Sequence, residues 1–279
     1  MTGAPPLFDR ALSAARAARK RAGEPNILTR TIAEELAERL AFVNRRFGRV
    51  LLIAAEPGAI AARLKQGGQV TEVETRGPSA GDHLELPETR YDAVFSVLDL
   101  QTFNDVPGAL IQMRRALRPD GLLLACLFAG DTLTELRQSW LAAEASLSGG
   151  VSPRVAPMID VRELGALLQR AGLSLPVADL DRTMVRHADA IALIHDIRAL
   201  GLSNNLVGRS RRPVSRRLMG AAVNHYQRNF ADPDGRVRAT VEVAWLTGWA
   251  PHESQQQPLK PGSARARLAD ALRVEEKKL

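Results

Sequence analysis

The stretch YDAVFSVLDLQTFNDVPGALIQMRRALRPDGLLLACLF, residues 91–128, contains two apolar runs separated by one helical pattern. Residues 91–98 and 122–128 are short and almost continuously apolar, which is typical of strands buried on both faces. Between them, residues 105–117 start with an acidic residue and a nearby proline and then carry apolar side chains at helical spacing. This order predicts two parallel strands joined by a crossover helix.

The same alternation of strands and helices continues on both sides of this stretch. The predicted strands span residues 49–54, 69–74, 91–98, 122–128, 174–185 and 237–249. The predicted helices span residues 29–47, 59–64, 105–117, 160–171, 188–201, 213–230 and 263–278, with Thr29 and Asp160 as two of the N-caps. The pattern predicts an α/β, Rossmann-like fold whose ligand lies at the carboxyl ends of the first strands.

The 279 residues are interpreted as one domain with additions rather than two domains. Residues 1–47 form an N-terminal helical extension, and residues 48–250 form the α/β domain. Within that domain, residues 188–232 are a helical insertion before the last strand. Residues 251–279 are a linker and a C-terminal helix.

Composition excludes several classes of protein. With 45% hydrophobic and 25% charged residues, the chain is globular, and no apolar stretch approaches the roughly 20 residues that span a bilayer. The single cysteine, Cys126, excludes an internal disulfide and any multi-cysteine metal site, and no metal is predicted. Residues 7–23 are rich in Arg and Ala, which is also typical of a mitochondrial transit peptide. The single cysteine fits a reducing compartment, so we expect a bacterial cytoplasmic protein. The composition of residues 7–23 makes the mitochondrial matrix the alternative.

The net charge of +7 is concentrated in one region. Residues 207–238 contain eight arginines and two aspartates. Three interpretations stay open: a solvated basic face, a docking surface for an acidic protein, and a nucleic-acid site. The last is the weakest because no interleaved aromatic residues accompany the charge. We expect a protein partner, and the candidate partner-binding residues are Arg209, Arg211, Arg212, Arg216 and Arg217.

Local strings of sequence add a resemblance. Through YDAV at residues 91–94 and RRALRPDGLLLA at residues 114–125, the chain resembles class I S-adenosylmethionine-dependent methyltransferases. Through LFDRAL, GDTLTELRQSWLAAE and DGRVRATVEVAWLTGWAP, it more narrowly resembles bacterial relatives of the mitochondrial complex I assembly factor built on this fold. That group is close to the malonyl-carrier-protein methyltransferase of biotin synthesis. The resemblance covers most of residues 7–250 and implies a mostly parallel seven-stranded sheet with an antiparallel last strand.

The cofactor motif of this family departs from the usual pattern here. Relatives place a glycine-rich motif after the first strand, whereas residues 50–58 read VLLIAAEPG, and only Gly58 matches. Ala54 and Glu56 place side chains where glycines let the backbone approach the cofactor. Leu52 stands where relatives carry an acid. The sequence therefore predicts weak or no binding of S-adenosylmethionine.

Other candidate cofactor residues are retained. Glu74, with Glu72 as a competing choice, ends the second strand and is placed to accept hydrogen bonds from ribose hydroxyls. Asp82 resembles the acid that meets the adenine amino group in relatives. Leu98 ends the next strand and completes the set, while residues 101–105 replace an aromatic pattern of the family.

Three functions remain open from the sequence. The resemblance implies a protein that acts on a respiratory complex I subunit during assembly, including the modification of an arginine. The first alternative is an active S-adenosylmethionine-dependent methyltransferase. The second is a non-catalytic scaffold that binds a partner through its basic insertion. No catalytic residue is assigned, and the oligomeric state is left open.

Overall fold

A computed structural model describes residues 5–19 and 27–256. The predicted C-terminal helix, residues 263–278, lies outside these ranges, as does part of the N-terminal extension. Within the described part of the chain, one six-stranded sheet has helices on both faces.

The sheet has the strand order β2-β1-β3-β4-β6-β5. Strands β1 to β4 are parallel, and β6 runs antiparallel to both of its neighbours. The strands are β1 (Phe47–Ala54), β2 (Val70–Arg76), β3 (Tyr91–Val97), β4 (Leu117–Phe128), β5 (Ser174–His187) and β6 (Val237–Trp249). The predicted α/β class and the antiparallel last strand are therefore confirmed.

Eight α-helices connect or flank the strands in the described residues. They are α1 (Arg10–Ala18), α2 (Ile27–Ala41), α3 (Pro57–Gln66), α4 (Val106–Ala116), α5 (Thr134–Ser148), α6 (Val161–Arg170), α7 (Ala190–Ala199) and α8 (Arg216–Phe230). Two predicted caps are present: the Asp105 carboxylate accepts from the Gly108 amide, and the Asp160 carboxylate accepts from the Arg162 amide.

Two predictions about elements were wrong. The described sheet has six strands rather than seven, because residues 77–90 form no strand. That segment contains Pro78 and Pro87, which cannot donate to a ladder, and the amide of Leu84 donates to the Gln112 side chain instead of to β2. Thr29 is not a cap either, because α2 already begins at Ile27 and Thr29 lies buried within it.

The core lies on the two faces of the sheet. On one face α4 and α6 cover apolar side chains of β3, β4 and β6. On the other face α2 and α3 cover a second set, in which Leu52, Ala54, Phe95 and Trp245 are all at most 1% exposed. Because β1, β3 and β4 are buried on both sides, their carboxyl ends are held rigidly at one edge of the core.

The helical insertion packs against the N-terminal end of β6. Helices α5, α7 and α8 form a third apolar cluster around Val237 and Ala239, and Tyr226 is fully buried in it. The Tyr226 hydroxyl donates to the Arg238 carbonyl at 2.7 Å. This cluster places α7 and the loop after it above the carboxyl ends of the parallel strands.

Candidate functional site

The topology itself defines a crevice. Because β1 lies between β2 and β3, the chain connections leave β1 and β3 in opposite directions along the sheet. Ligands of open α/β sheets bind at such a switch point, outside the carboxyl ends of the strands. In this protein Ala55 follows β1 and Leu98 and Asp99 follow β3, so these residues mark the base of the crevice.

A cavity of about 510 Å³ opens from this crevice. Its base consists of Ala55, Leu98, Asp99 and Phe128, at the ends of β1, β3 and β4. Its walls are largely apolar and come from α1, α2, α5, α7 and the upper parts of β5 and β6. The apolar wall residues include Ile27, Ile32, Leu136, Trp140, Val155, Met158, Leu193, Ile194, Ile197, Val241 and Val243. The volume suits a small molecule or one long side chain.

The first described residues lie across the cavity, and we call residues 7–18 the N-terminal strap. The Asn104 side chain accepts from the amides of Leu7 and Phe8, at 2.8 Å each, and donates to the Phe8 carbonyl. On the other side, Phe8 forms an antiparallel bridge with Leu206, in the loop after α7. The strap therefore links the end of β3 to the helical insertion.

Arg10 of the strap is buried in the crevice. Its guanidinium donates to the Thr102 hydroxyl at 2.7 Å and lies 3.4 Å from an Asp99 carboxylate oxygen. The side chains of Arg10 and Asp99 are only 2% and 3% exposed. The guanidinium carbon also lies 3.4 Å from the centre of the Phe103 ring, a close cation–π contact. Arg10 therefore occupies the space beside the end of β3.

Further contacts hold Arg10 from the side of the loop after β2. Its Nε donates to the Gly81 carbonyl at 3.0 Å, and Nη2 donates to the Ser79 hydroxyl at 3.2 Å. Burial raises the pKa of Asp99, and the Arg10 charge and hydrogen bonds oppose that shift. Neither residue was predicted from the sequence to be functional, although LFDRAL was among the strings that carried the resemblance.

The strap is also tied to the loop that follows α7. The Arg16 guanidinium donates to the carbonyls of Ser203 and Asn204 at 2.8 and 3.0 Å. The Arg209 guanidinium lies 3.2 Å from the Asp9 carboxylate and donates to the Leu206 carbonyl. Arg209, a predicted partner-binding residue, thus also contacts the strap of its own chain, and its role toward a partner stays a prediction.

Of the predicted cofactor residues after β1 and β3, only Leu98 lines the cavity. Leu98 lines the cavity, with its backbone in the left-handed region at φ 52°. The Ala54 side chain is 1% exposed and packs in the core below the crevice. Glu56 precedes α3, and its carboxylate accepts from the Thr29 hydroxyl at 3.2 Å. At Gly58, an added Cβ would meet no atom within 4 Å, so close packing does not require glycine there.

The two predicted acids at the nucleoside end have partners within the chain. Glu74 lies 3.4 and 3.5 Å from the guanidinium groups of Arg76 and Arg90. Neither Glu74 nor Asp82 lines the cavity. Asp82 accepts from the Asn104 amide at 3.0 Å and lies 3.8 Å from the Arg10 Nε. An arginine side chain thus stands beside the acid that we expected to meet adenine.

These positions test S-adenosylmethionine, the cofactor that this fold implies. The crevice beside the 79–82 loop is filled by the Arg10 guanidinium, and Glu74 is paired outside the cavity. The end of β1 carries Ala54 and Glu56 in place of glycines. The residues in this arrangement do not fit the nucleoside half of the cofactor.

The opposite wall of the cavity carries carboxylates. Glu35 on α2 and Asp181 on β5 both line the cavity. Asp179 and Asp181 pair with the Arg39 guanidinium at 2.8 Å each. Burial raises the pKa of Glu35, and the neighbouring Asp181 charge adds to the increase while Arg39 opposes it. The wall therefore favours a cationic group, which would lower the cost of ionising Glu35.

The buried Glu144 holds the residues that line the cavity near Trp140. The Glu144 carboxylate accepts from the Ser152 amide and hydroxyl and pairs with the Arg154 guanidinium at 2.5 Å. Arg154 in turn lies over the Trp140 ring, with its guanidinium carbon 4.7 Å from the ring centre. Because Arg154 and Trp140 both line the cavity, Glu144 fixes the loop that closes this end.

This acid gives a pH-dependent prediction. Burial pushes the pKa of Glu144 upward, but the hydrogen bonds from Ser152 and the pairing with Arg154 outweigh burial and lower it overall. A lowered pKa in the folded state contributes stability above the unfolded value of about 4.3, and this contribution is lost as the pH falls through the folded pKa. We expect Glu144→Gln to destabilise the protein at pH 7 and to have a smaller effect in acid. Urea unfolding of both proteins across this range measures the difference, and a constant difference would contradict the assignment.

The remaining predicted partner-binding arginines lie on the surface. Arg211, Arg212, Arg216 and Arg217 are exposed, before and at the start of α8. The Ser215 hydroxyl accepts from the Leu218 amide and begins that helix. These four arginines keep their side chains available to solvent, and their role stays a prediction.

Within residues 5–19 and 27–256, no group of three His, Cys, Asp or Glu side chains is arranged to hold a metal ion. None of the described helices is long and apolar enough to cross a bilayer. Cys126 is a fully buried free thiol, and burial raises its pKa to about 12.

Comparison with known proteins agrees with this fold. Residues 33–125 match the model of a methyltransferase domain family. The solved YcgJ protein of Bacillus subtilis superposes with a TM-score of 0.52 at 14% identity, covering 78% of this chain and 99% of that protein. This likeness concerns the fold alone.

Curated relatives are more similar in sequence. The chain is 33% identical over 267 residues to a rat protein named arginine-hydroxylase NDUFAF5, mitochondrial, covering 89% of this chain and 78% of the rat protein. The match to the zebrafish protein of that name spans 60% of its length. The malonyl-[acyl-carrier protein] O-methyltransferase of Laribacter hongkongensis is 30% identical, with coverage of 85% and 87%. The chain therefore belongs to the class I S-adenosylmethionine-dependent methyltransferase family, close to NDUFAF5.

Proposed function

We propose that this protein acts on an arginine side chain of a respiratory complex I subunit during assembly of that complex. The supporting similarity is the relative named arginine-hydroxylase NDUFAF5, which matches over most of this chain. The single structural observation that carries the proposal is the cavity wall formed by Glu35 and Asp181.

The cavity has the chemistry that an arginine side chain requires. Its apolar walls suit the aliphatic part of the side chain, which buries well against apolar surface. A guanidinium group pairs with carboxylates through planar, charge-assisted hydrogen bonds. Glu35 and Asp181 present carboxylates to the same cavity, and Arg39 neutralises only part of the local negative charge. The wall therefore favours a cation on an apolar stem.

The test combines a deletion with complementation. In a bacterium that carries this gene and complex I, we expect deletion to lower NADH:ubiquinone oxidoreductase activity and to remove an added oxygen atom from a subunit arginine, measured by mass spectrometry. The wild-type gene should restore both. Glu35→Gln should restore little of the modification, because a hydrogen bond to a charged group is worth about 1.5–3 kcal/mol.

A matched control lies on the same helix. Glu38 is exposed, lies one turn beyond Glu35 and does not line the cavity, so Glu38→Gln changes the net charge by the same amount without removing a carboxylate from the cavity wall. It should restore the modification fully. Normal complex I activity and an unchanged arginine in the deletion strain would contradict the proposal.

A second candidate function rests on the methyltransferase relatives. The malonyl-carrier-protein methyltransferase matches most of the chain, and the same cavity would then receive an acyl group. Transfer of a labelled methyl group from S-adenosylmethionine to a carrier protein would favour this function. Restoration of complex I activity by Glu35→Gln without any arginine modification would instead favour a scaffold.

A further inference from the structure

The crevice between the 79–82 loop and the turn after β3 is already occupied by a side chain of this protein. By the switch-point rule, a nucleoside-type ligand of this fold lies outside the carboxyl ends of β1 and β3. Arg10 contacts both borders of that crevice, through Gly81 and Ser79 on one side and Thr102 and Asp99 on the other. A second ligand cannot occupy the same volume.

We propose that Arg10 and Asp99 form a built-in occupant of the nucleoside end of the crevice and thereby determine which ligands the site admits. The guanidinium supplies the hydrogen-bond donors and the flat, stacked group that fill this end. Its face lies on Phe103, as an aromatic base would. Asp99 supplies the charge that holds it, with both side chains at most 3% exposed.

The strap makes this occupant part of the fold. Asn104 fixes the strap before Arg10, while Arg16 and Arg209 fix it to the loop after α7. A nucleoside would therefore have to displace a segment held at both ends. The cavity beyond Asp99 stays open, so occupation of the nucleoside end leaves room for an acceptor side chain. Occupation of the nucleoside end does not depend on which acceptor the protein uses.

The test measures binding of S-adenosylhomocysteine by calorimetry to the full chain. The double variant Arg10→Ala/Asp99→Ala removes both charges and empties the crevice. If the wild-type strap is open in less than a tenth of the molecules, removing the occupant raises the apparent affinity by more than about tenfold. We expect no measurable binding to the wild type and a gain of at least this size in the double variant.

A matched control loosens the strap without emptying the crevice. The double variant Asp9→Asn/Arg209→Ala removes the ion pair to the insertion, while asparagine keeps the cap at the start of α1. Because a looser strap is open in a larger fraction of the molecules, it should bind more tightly than the wild type but less tightly than Arg10→Ala/Asp99→Ala, in which the crevice is empty. If Arg10→Ala/Asp99→Ala does not fold, Asp99→Asn keeps the shape of the side chain, weakens the hold on Arg10, and should give a smaller gain.

Hydrogen exchange distinguishes a strap that occupies the nucleoside end from a strap that closes over a bound ligand. Exchange of the amides of residues 8–18 in the wild type should rise when S-adenosylhomocysteine is forced in at high concentration, because the strap must leave. A fall in exchange would mean that the strap closes over the ligand, and it would overturn the proposal. Failure of both Arg10→Ala/Asp99→Ala and Asp99→Asn to gain affinity, whether or not the wild type binds, would also overturn it.

Discussion

Arg10→Met is expected to destabilise the protein by about 3 to 5 kcal/mol, because it leaves the buried Asp99 carboxylate without its charged partner. The methionine fills much of the space but donates no hydrogen bond. Removing both charges is expected to cost far less than this single change, since a neutral pair leaves no buried charge behind. Urea unfolding of Arg10→Met, Asp99→Leu and the double variant measures the coupling.

The size of the coupling decides between two descriptions of the strap. A coupling of several kcal/mol means that Arg10 and Asp99 interact as a buried pair in the folded protein. Effects that simply add would mean that the two side chains do not interact, so that this pair does not hold the N-terminal segment in the crevice. The second result would contradict the docked arrangement described above.

Phe95→Ala is expected to cost about 3 to 5 kcal/mol, because it opens a cavity in the middle of the sheet. Phe95 is fully buried on β3, between Leu52 of β1 and Leu124 of β4. Neighbouring side chains on a sheet held by five other strands have little freedom to close the space. Thermal or urea unfolding measures the loss, and a strong decrease in folded protein at 37 °C is expected.

Phe42→Ala provides the matched control for this prediction. Phe42 is 91% exposed, just after the end of α2, so the same chemical change removes almost no buried area. Its effect should stay within about 0.5 kcal/mol. Equal effects of the two substitutions would mean that the assigned core is wrong.

Local patterns predicted most of the regular elements, but helix α5 (Thr134–Ser148) was not predicted. The last strand was predicted over residues 237–249, and β6 has the same bounds, because alternating apolar residues on a long strand give a strong signal. The caps at Asp105 and Asp160 were predicted because a cap depends on residues within one turn. The seventh strand came from the resemblance, and two prolines and a competing side-chain hydrogen bond prevent it.

The candidate site was predicted less completely. Leu98, a predicted cofactor residue, lines the cavity, whereas Arg10, Asp99 and Glu35 were not predicted to belong to a site. Arg10 and Asp99 are 89 residues apart, and a single charge in a helical pattern carries no local sign of its partner. Glu35 follows the polar spacing of an ordinary amphipathic helix, so only its position against β5 distinguishes it. Burial and long-range pairing, which create the site, leave no periodic trace in the sequence.

The contacts between the strap and the helical insertion can form only late in synthesis of the chain. Asp9 and Arg209 are 200 residues apart, and Arg16 is 187 residues from Ser203. At 5–20 residues per second, a ribosome needs about 10 to 40 s to synthesise the intervening chain. During this time the parallel strands β1 to β4 have already been synthesised, whereas Ser203 and Arg209, which hold the strap on the insertion, have not. Docking of the strap on the insertion is therefore among the last folding steps. Before it, the nascent chain passes through a stage in which the strap can contact Asn104 but not the insertion.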